Sequence, residues 1–169
     1  MAKINSKKKG SKNERELAKA FEKWTGFDFA RVPTSGGLRW KRTLDTTGDI
    51  MVAEQEHIFT FPFSIETKFH FEIDPWKILL GQSSKLDDFM GQARADAERS
   101  KKIPLVFFRY NGMPKSTWFI IMEYETWTTL IKEIFPENGF MNFNNEFCIF
   151  SSDALFEADY NTILTLLKG

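Results

Sequence analysis

The stretch that decides the fold is FTFPFSIETKFHF, residues 59–71, in which a glutamate and a lysine interrupt a run of phenylalanines. Side chains alternate between the two faces of a β-strand, so the phenylalanines and Ile65 share one face. The other face carries Pro62, Ser64, Glu66 and Lys68. Because proline is unfavourable inside a central strand, regular pairing is expected to begin near Phe63. The stretch predicts a strand with one face in the core, while its acid and base either meet solvent or form a site.

The composition is that of one globular domain. The chain has 169 residues, of which 42% are hydrophobic, and this length can build a substantial core. No apolar run approaches the roughly 20 residues that a membrane span needs, and no apolar segment follows the basic N-terminus as in a signal peptide. The single Cys148 excludes a disulfide framework or a zinc site built from several cysteines. We therefore expect a soluble, cytoplasmic protein without a membrane partner.

Positive charge is concentrated in two places, although 23 basic side chains balance 23 acidic ones. Residues 1–23 hold eight lysines and arginines against three glutamates, and a second cluster, RWKR at residues 39–42, follows a glycine pair. Such clusters suit phosphate contacts, whereas the zero net charge argues against a protein that coats nucleic acid generally. A solvated tail and a solvated loop would explain either cluster alone equally well.

The N-terminal part predicts a helix with an acid on its inward face. Residues 1–10 are polar and lysine-rich and are expected to form a flexible basic tail. Ser11 then has the position of an N-cap, with Glu14 at the spacing of a capping box. Glu14 precedes Leu17 by three residues, so it lies on the apolar face of the helix, which Gly26 ends. The inward carboxylate is explained either by the capping box or by a site.

Further along the chain, strand and helix signals alternate. The strands are expected at residues 27–32, 49–53, 59–71, 103–110 and 116–122, with a weak one at 147–150, and the later helices at 86–100, 124–135 and 153–167. This order predicts an α/β or α+β domain with a mixed central sheet flanked by helices. Residues 10–122 would form its core, and residues 123–169 a helical C-terminal addition packed on it.

Asp49, Glu66 and Lys68 form the pattern D-x16-E-x-K on two strands that are expected to be neighbours. Adjacent strands lie about 4.8 Å apart, so the two carboxylates could share one cation. Mg2+ prefers oxygen ligands and keeps several waters, so two carboxylates suffice as a partial shell. Glu14, arriving from the first helix, would complete the acidic cluster directly or through a metal-bound water. Lys68 would position the attacking water or stabilise developing negative charge.

The segments GDI and IETK, preceded by a helix with an inward glutamate, resemble the PD-(D/E)XK nuclease superfamily. The segment GSKNERELAKAFEKWTGFDFARVPTSGG, residues 10–37, is similar to the start of archaeal-type (Hjc-like) Holliday junction resolvases. The resemblance covers about residues 8–110 and implies a restriction-endonuclease-like fold. Gly48 stands where the superfamily name has proline, and the loop from residue 36 to 47 is longer than in compact members.

The resemblance also implies roles for individual residues. The catalytic set would be Glu14, Asp49, Glu66 and Lys68, with Asp49, Glu66 and Glu14 as the metal ligands. The DNA-binding residues would be Arg15, Arg31, Ser35, Arg39, Lys41, Arg42 and Gln92, of which Gln92 occupies the place of a glutamine found in many members. The cofactor would be Mg2+, with Mn2+ as a substitute.

The resemblance predicts a metal-dependent, structure-specific DNA endonuclease that resolves four-way junctions by paired incisions. A symmetric homodimer suits the two-fold symmetry of such a junction, and the size and composition suggest a phage protein. Three alternatives stay open. One is a related nuclease for flap, single-stranded or duplex DNA, and another is a non-catalytic DNA-binding module with the same fold. The third is a structural protein whose acids lie on a plain surface and which binds neither metal nor DNA.

Overall fold

The computed structural model describes residues 6–32, 47–69, 74–82, 84–110, 112–134 and 139–169. The helices are α1 (Ser6–Thr25), α2 (Gln55–Ile58), α3 (Pro75–Leu79), α4 (Ser84–Ser100), α5 (Tyr124–Ile134), α6 (Ser152–Phe156) and α7 (Tyr160–Lys168). The strands are β1 (Phe29–Arg31), β2 (Ile50–Val52), β3 (Phe63–Phe69), β4 (Ile103–Arg109), β5 (Phe119–Glu123), β6 (Phe140–Phe143) and β7 (Phe147–Ser151).

The strands form one mixed seven-stranded sheet in the order β1-β2-β3-β4-β5-β7-β6. The pair β3–β4 is parallel and the other neighbouring pairs are antiparallel. A parallel pair needs a crossover connection, and α3 and α4 lie in the chain between β3 and β4. The predicted mixed α+β fold of the restriction-endonuclease-like type is confirmed.

The alternating pattern of the phenylalanine-rich stretch is confirmed in β3. Phe63 and Ile65 are buried in the larger core, between the sheet and α1. Glu66 lies beside Val106 in the register of β4, and Val106 belongs to the second core, under α4. The strand begins at Phe63, as the proline before it predicts. The face of β3 that carries Glu66 and Lys68 is therefore the face that α4 covers.

Helices cover both faces of the sheet. On one face α1, α5, α6 and α7 enclose the larger core, whose biggest side chains are Phe21, Phe61, Phe63, Phe107, Phe150, Trp118 and Trp127. On the other face α4 packs on a smaller core formed by Leu86, Met90, Ala93, Val106, Phe108, Ile121, Phe143, Phe147 and Ile149. Cys148 lies in the larger core, and burial of its thiol raises its pKa to about 12.

The N-terminal helix is longer than the sequence predicts. α1 begins at Ser6, so Ser11 lies inside the helix and the predicted capping box is wrong. The backbone of residues 6–10, expected as part of a flexible tail, is helical, while residues 1–5 lie outside the described residues. The predicted end is correct: Gly26 adopts φ +79°, and its N–H donates to the carbonyl of Glu22 at 2.9 Å.

The C-terminal part adds more than helices. β7 pairs with β5, and β6, which the sequence did not predict, pairs with β7 and extends the sheet. The single helix expected at residues 153–167 is divided into α6 and α7, because the carboxylate of Asp159 accepts the backbone N–H of Thr162 at 2.8 Å and begins a new helix. The segment 123–169 is thus part of the sheet as well as a helical layer.

Two short helices flank β3 in the chain. α2 lies between β2 and β3, and α3 begins after its N-cap, Asp74. Trp76 on α3 has 69% of its surface exposed. Phe143 and Phe147 are buried in the smaller core, on the face of the sheet that α4 covers.

Candidate active site

Asp49 is fixed at the entry to β2 by backbone contacts on both sides. Its N–H donates to the carbonyl of Ile65 at 2.8 Å, and its carbonyl accepts the N–H of Val32 at 2.8 Å. Gly48, directly before it, adopts φ +79°, and a Cβ there would lie 2.3 Å from the Ile65 carbonyl oxygen. Only glycine combines this backbone conformation with this close approach. The glycine in place of the superfamily's proline is therefore a structural requirement in this chain.

The side chain of Asp49 reaches β3. Its Oδ2 accepts two hydrogen bonds from Thr67, from the backbone N–H at 2.8 Å and from the hydroxyl at 3.0 Å. Thr67 is the residue between Glu66 and Lys68. The carboxylate of Asp49 is thus held against the E-x-K segment, as the predicted neighbouring strands require.

Glu66 and Lys68 form an ion pair on the face of β3 that α4 covers. The Nζ of Lys68 lies 2.7 Å from Glu66 Oε1 and donates a second hydrogen bond, also 2.7 Å, to Gln92 Oε1. The same Nζ lies 5.6 Å from the centre of the Phe89 ring. Gln92, predicted to contact DNA, is exposed on α4 and holds the lysine. The ammonium is therefore directed by one residue of β3 and two of α4.

The electrostatic environment of Glu66 favours binding of a cation beside its carboxylate. The residue is only 5% exposed, and this burial, followed by repulsion from Asp49, raises its pKa above the usual 4.5. The hydrogen bond and positive charge of Lys68 oppose this shift, while Asp96 on α4 adds to it. Two carboxylates thus repel each other beside a single ammonium.

Glu14 takes a different partner from the one predicted. Its carboxylate forms an ion pair with the guanidinium of Arg31 on β1, in a half-buried position. Among the described residues, no group of three or more His, Cys, Asp or Glu side chains is arranged to hold a metal ion. The role of Glu14 as a third ligand therefore stays a prediction, and the oxygen donors brought close to each other are those of Asp49 and Glu66.

These two carboxylates fit a hard divalent cation by their chemistry. Asp49 uses Oδ2 for its bonds to Thr67, and no described residue donates to its Oδ1. Glu66 uses Oε1 for Lys68. Among the described residues, none donates a hydrogen bond to the other oxygen of either carboxylate, and Mg2+ characteristically binds one or two carboxylates and keeps several waters.

A chain of hydrogen-bonded hydroxyl groups begins at Ser64 on β3, two residues before Glu66. This chain was not predicted from the sequence. Ser64 donates to Thr47 at 3.1 Å, Thr47 donates to Ser100 at 2.8 Å, and Ser100 donates to the carbonyl of Ala97 at 3.2 Å. It joins β3 and the end of α4 to the residue before Gly48. The polar alternation of β3 indicated Ser64, but nothing in the local sequence indicates its partners.

The predicted DNA-binding residues are only partly described. Arg15 is exposed on α1, and Arg31 is paired with Glu14. Ser35, Arg39, Lys41 and Arg42 lie outside the described residues. The DNA contacts of all these residues stay predictions.

A mixed sheet whose adjacent strands bring an aspartate and an E-x-K segment together defines the PD-(D/E)XK class of nucleases. The family model described as "Phage putative PDDEXK endonuclease" matches residues 5–166, and the chain belongs to that family. The match includes the C-terminal segment, which the sequence resemblance did not reach. No curated protein and no solved structure shows significant similarity to the chain. None of the described helices is both long and apolar enough to cross a membrane.

Proposed function

We propose that this protein is a divalent-metal-dependent DNA endonuclease that cuts branched DNA, and that its preferred substrate is the four-way Holliday junction. The observation that carries the proposed chemistry is the 2.7 Å contact between Lys68 Nζ and Glu66 Oε1, made beside the carboxylate of Asp49. Membership of a phage PD-(D/E)XK endonuclease family supports the reaction type. The junction preference rests on the resemblance of residues 10–37 to Hjc-like resolvases.

Each residue of the site has a proposed role in phosphodiester hydrolysis. Asp49 and Glu66 would hold Mg2+, or Mn2+ in its place. Such a cation, when bound, would lower the pKa of a coordinated water and neutralise charge on the phosphate. Lys68 donates hydrogen bonds to the attacking water or to the developing negative charge, and Gln92 keeps the ammonium in place. Glu14 would be the third ligand if Arg31, its present ion-pair partner, contacted a phosphate of the DNA instead.

Binding of the junction is proposed to rest on backbone phosphates and shape. Arg15, Arg31 and the cluster at residues 39–42 would contact phosphates, which position DNA without reading its sequence. A four-way junction has approximate two-fold symmetry, so a symmetric homodimer would place one active site on each of two strands. The protein would act in the cytoplasm of the phage host.

The decisive test is cleavage of a labelled synthetic four-way junction with Mg2+, beside flap, single-stranded and linear duplex DNA. Wild type is compared with Glu66→Gln and with Glu98→Gln, an exposed glutamate on α4. Paired symmetric nicks in the junction that disappear only in Glu66→Gln would support the proposal. Cutting of another substrate instead would keep the active site and overturn the junction preference. Binding of the junction without any cleavage would favour a non-catalytic module.

The homodimer is tested by sedimentation of the protein alone and with the junction. A species of two chains per junction is expected. A single chain per junction that still makes both incisions would contradict the symmetric arrangement.

A further inference from the structure

Thr67, the residue between Glu66 and Lys68, directly contacts Asp49, the remaining member of the D-x16-E-x-K pattern. By strand alternation Thr67 belongs to the face opposite its two neighbours. It nevertheless contacts Asp49, because Asp49 lies one residue beyond the last paired residue of β2, Ile50, where the regular ladder with β3 has ended. In place of a backbone carbonyl, the side chain of Asp49 accepts the N–H of Thr67 at 2.8 Å.

The threonine hydroxyl makes this contact specific. A backbone N–H would be present with any residue except proline, whereas the second bond, from Thr67 Oγ1 to the same Oδ2 at 3.0 Å, needs a hydroxyl. Two donors on one oxygen fix the rotation of the carboxylate as well as its position. They occupy Oδ2, and no described residue donates to Oδ1.

The backbone around Asp49 has little freedom to compensate for a lost side-chain bond. Its N–H is bonded to Ile65 of β3 and its carbonyl to Val32, the residue after β1, and a Cβ at the preceding Gly48 would collide with the Ile65 carbonyl. The remaining freedom is rotation of the side chain, and this is what the hydroxyl of Thr67 restricts.

We propose that Thr67 is a positioning residue that holds the Asp49 carboxylate in the orientation in which its second oxygen binds the divalent cation. This inference rests on the proposed function, because it takes Asp49 as a metal ligand. Groups that orient metal ligands typically change metal affinity by 10-fold or more when they are removed, so loss of the hydroxyl should weaken cation binding about tenfold.

The test is Mn2+ binding to the full-length protein without DNA, measured by isothermal titration calorimetry. Thr67→Val removes the hydroxyl but keeps the β-branched shape and the backbone N–H, and Thr67→Ser keeps the hydroxyl. Thr128→Val, at an exposed position on α5, is the matched control, and thermal unfolding verifies that each variant is folded. Asp49→Asn is included to remove the ligand itself.

The expected result is an about tenfold higher Kd for Thr67→Val, with Thr67→Ser and Thr128→Val within about twofold of wild type and the weakest binding in Asp49→Asn. Wild-type affinity in Thr67→Val, or equal weakening in Thr67→Ser, would overturn the positioning role. If wild type cuts DNA while Thr67→Val binds Mn2+ normally, this inference alone fails. If wild type neither binds Mn2+ nor cuts DNA, the proposed function fails with it.

Discussion

Lys68 and Glu66, two residues apart on one face of β3, are joined by a 2.7 Å contact from Nζ to Oε1, and Gln92 from α4 holds the same ammonium at the same distance. The ion pair is largely buried, since the Glu66 side chain is 6% exposed and the Lys68 side chain 21%. A buried ion pair is weak evidence for a contribution to stability, because desolvation of both charges opposes their attraction. Its position beside Asp49 instead favours a catalytic role. Unfolding and cleavage measurements on the same variants distinguish a contribution to stability from a contribution to catalysis.

The first prediction concerns pH. Burial and Asp49 raise the pKa of Glu66 above 4.5, so between pH 4.5 and the raised pKa the folded state binds more protons than the unfolded state. The free energy of unfolding contributed by Glu66 must therefore fall as the pH rises through this window. Glu66→Gln removes this decline and should gain stability relative to wild type as the pH increases. Urea denaturation in EDTA at a series of pH values measures the difference.

Glu98→Gln, on the exposed face of α4, controls for the loss of one negative charge and should keep the wild-type pH dependence. Curves for wild type and Glu66→Gln that run parallel across the window would contradict the raised pKa.

The second prediction concerns the glycine before Asp49. Gly48 and Gly26 both have φ +79°, but a Cβ at Gly48 meets the Ile65 carbonyl oxygen at 2.3 Å, whereas nothing lies within 4 Å at Gly26. Gly26→Ala should therefore lower the free energy of unfolding by about 1 kcal/mol, the cost of the left-handed conformation alone. Gly48→Ala should lower it by about 3 kcal/mol or more, because the backbone must also move. Equal losses in urea denaturation would show that the close approach has no energetic consequence.

The third prediction concerns Gln92. Its amide oxygen accepts from Lys68, but the residue is exposed, so Gln92→Ala should change the free energy of unfolding by no more than about 0.5 kcal/mol. The rate of single-turnover DNA cleavage should fall about tenfold, because Lys68 loses a charge-assisted hydrogen bond that directs it. Glu98→Ala on the same helix should leave the rate unchanged. A wild-type cleavage rate in Gln92→Ala would show that Gln92 is not needed to position Lys68 for cleavage.

The fourth prediction concerns DNA binding by α1. Arg15 is exposed, so Arg15→Ala should weaken junction binding and reduce the slope of log K against log salt by about 0.9, the value for one phosphate contact. Arg94→Ala is the control, since its guanidinium is held by Glu123 at 2.6 and 2.9 Å. Fluorescence anisotropy with a metal-free junction at several salt concentrations measures both. An unchanged slope in Arg15→Ala would place the phosphate contacts elsewhere.

The order of elements followed from local patterns in the sequence. The alternation in residues 59–71 identified the central strand, its core face and its starting point at Phe63, because a strand repeats every two residues whatever surrounds it. β6 was missed because three of its four residues, Phe140, Met141 and Asn142, are exposed at the sheet edge and give no buried pattern. The break between α6 and α7 was missed because an aspartate such as Asp159, inside an apolar pattern, does not by itself identify a helix N-cap.

For the candidate site, the sequence by itself determined the residue types: an acid directly before β2, an acid and a base on one face of β3, and a glutamate on α1. These residue types alone indicate metal-assisted hydrolysis, which uses two carboxylates and an ammonium. Only the tertiary structure decided the partners, namely Thr67 for Asp49, Gln92 for Lys68 and Arg31 for Glu14. These pairs are separated by 17 to 24 residues, and they depend on strand register and on how two helices pack, which no local periodicity encodes.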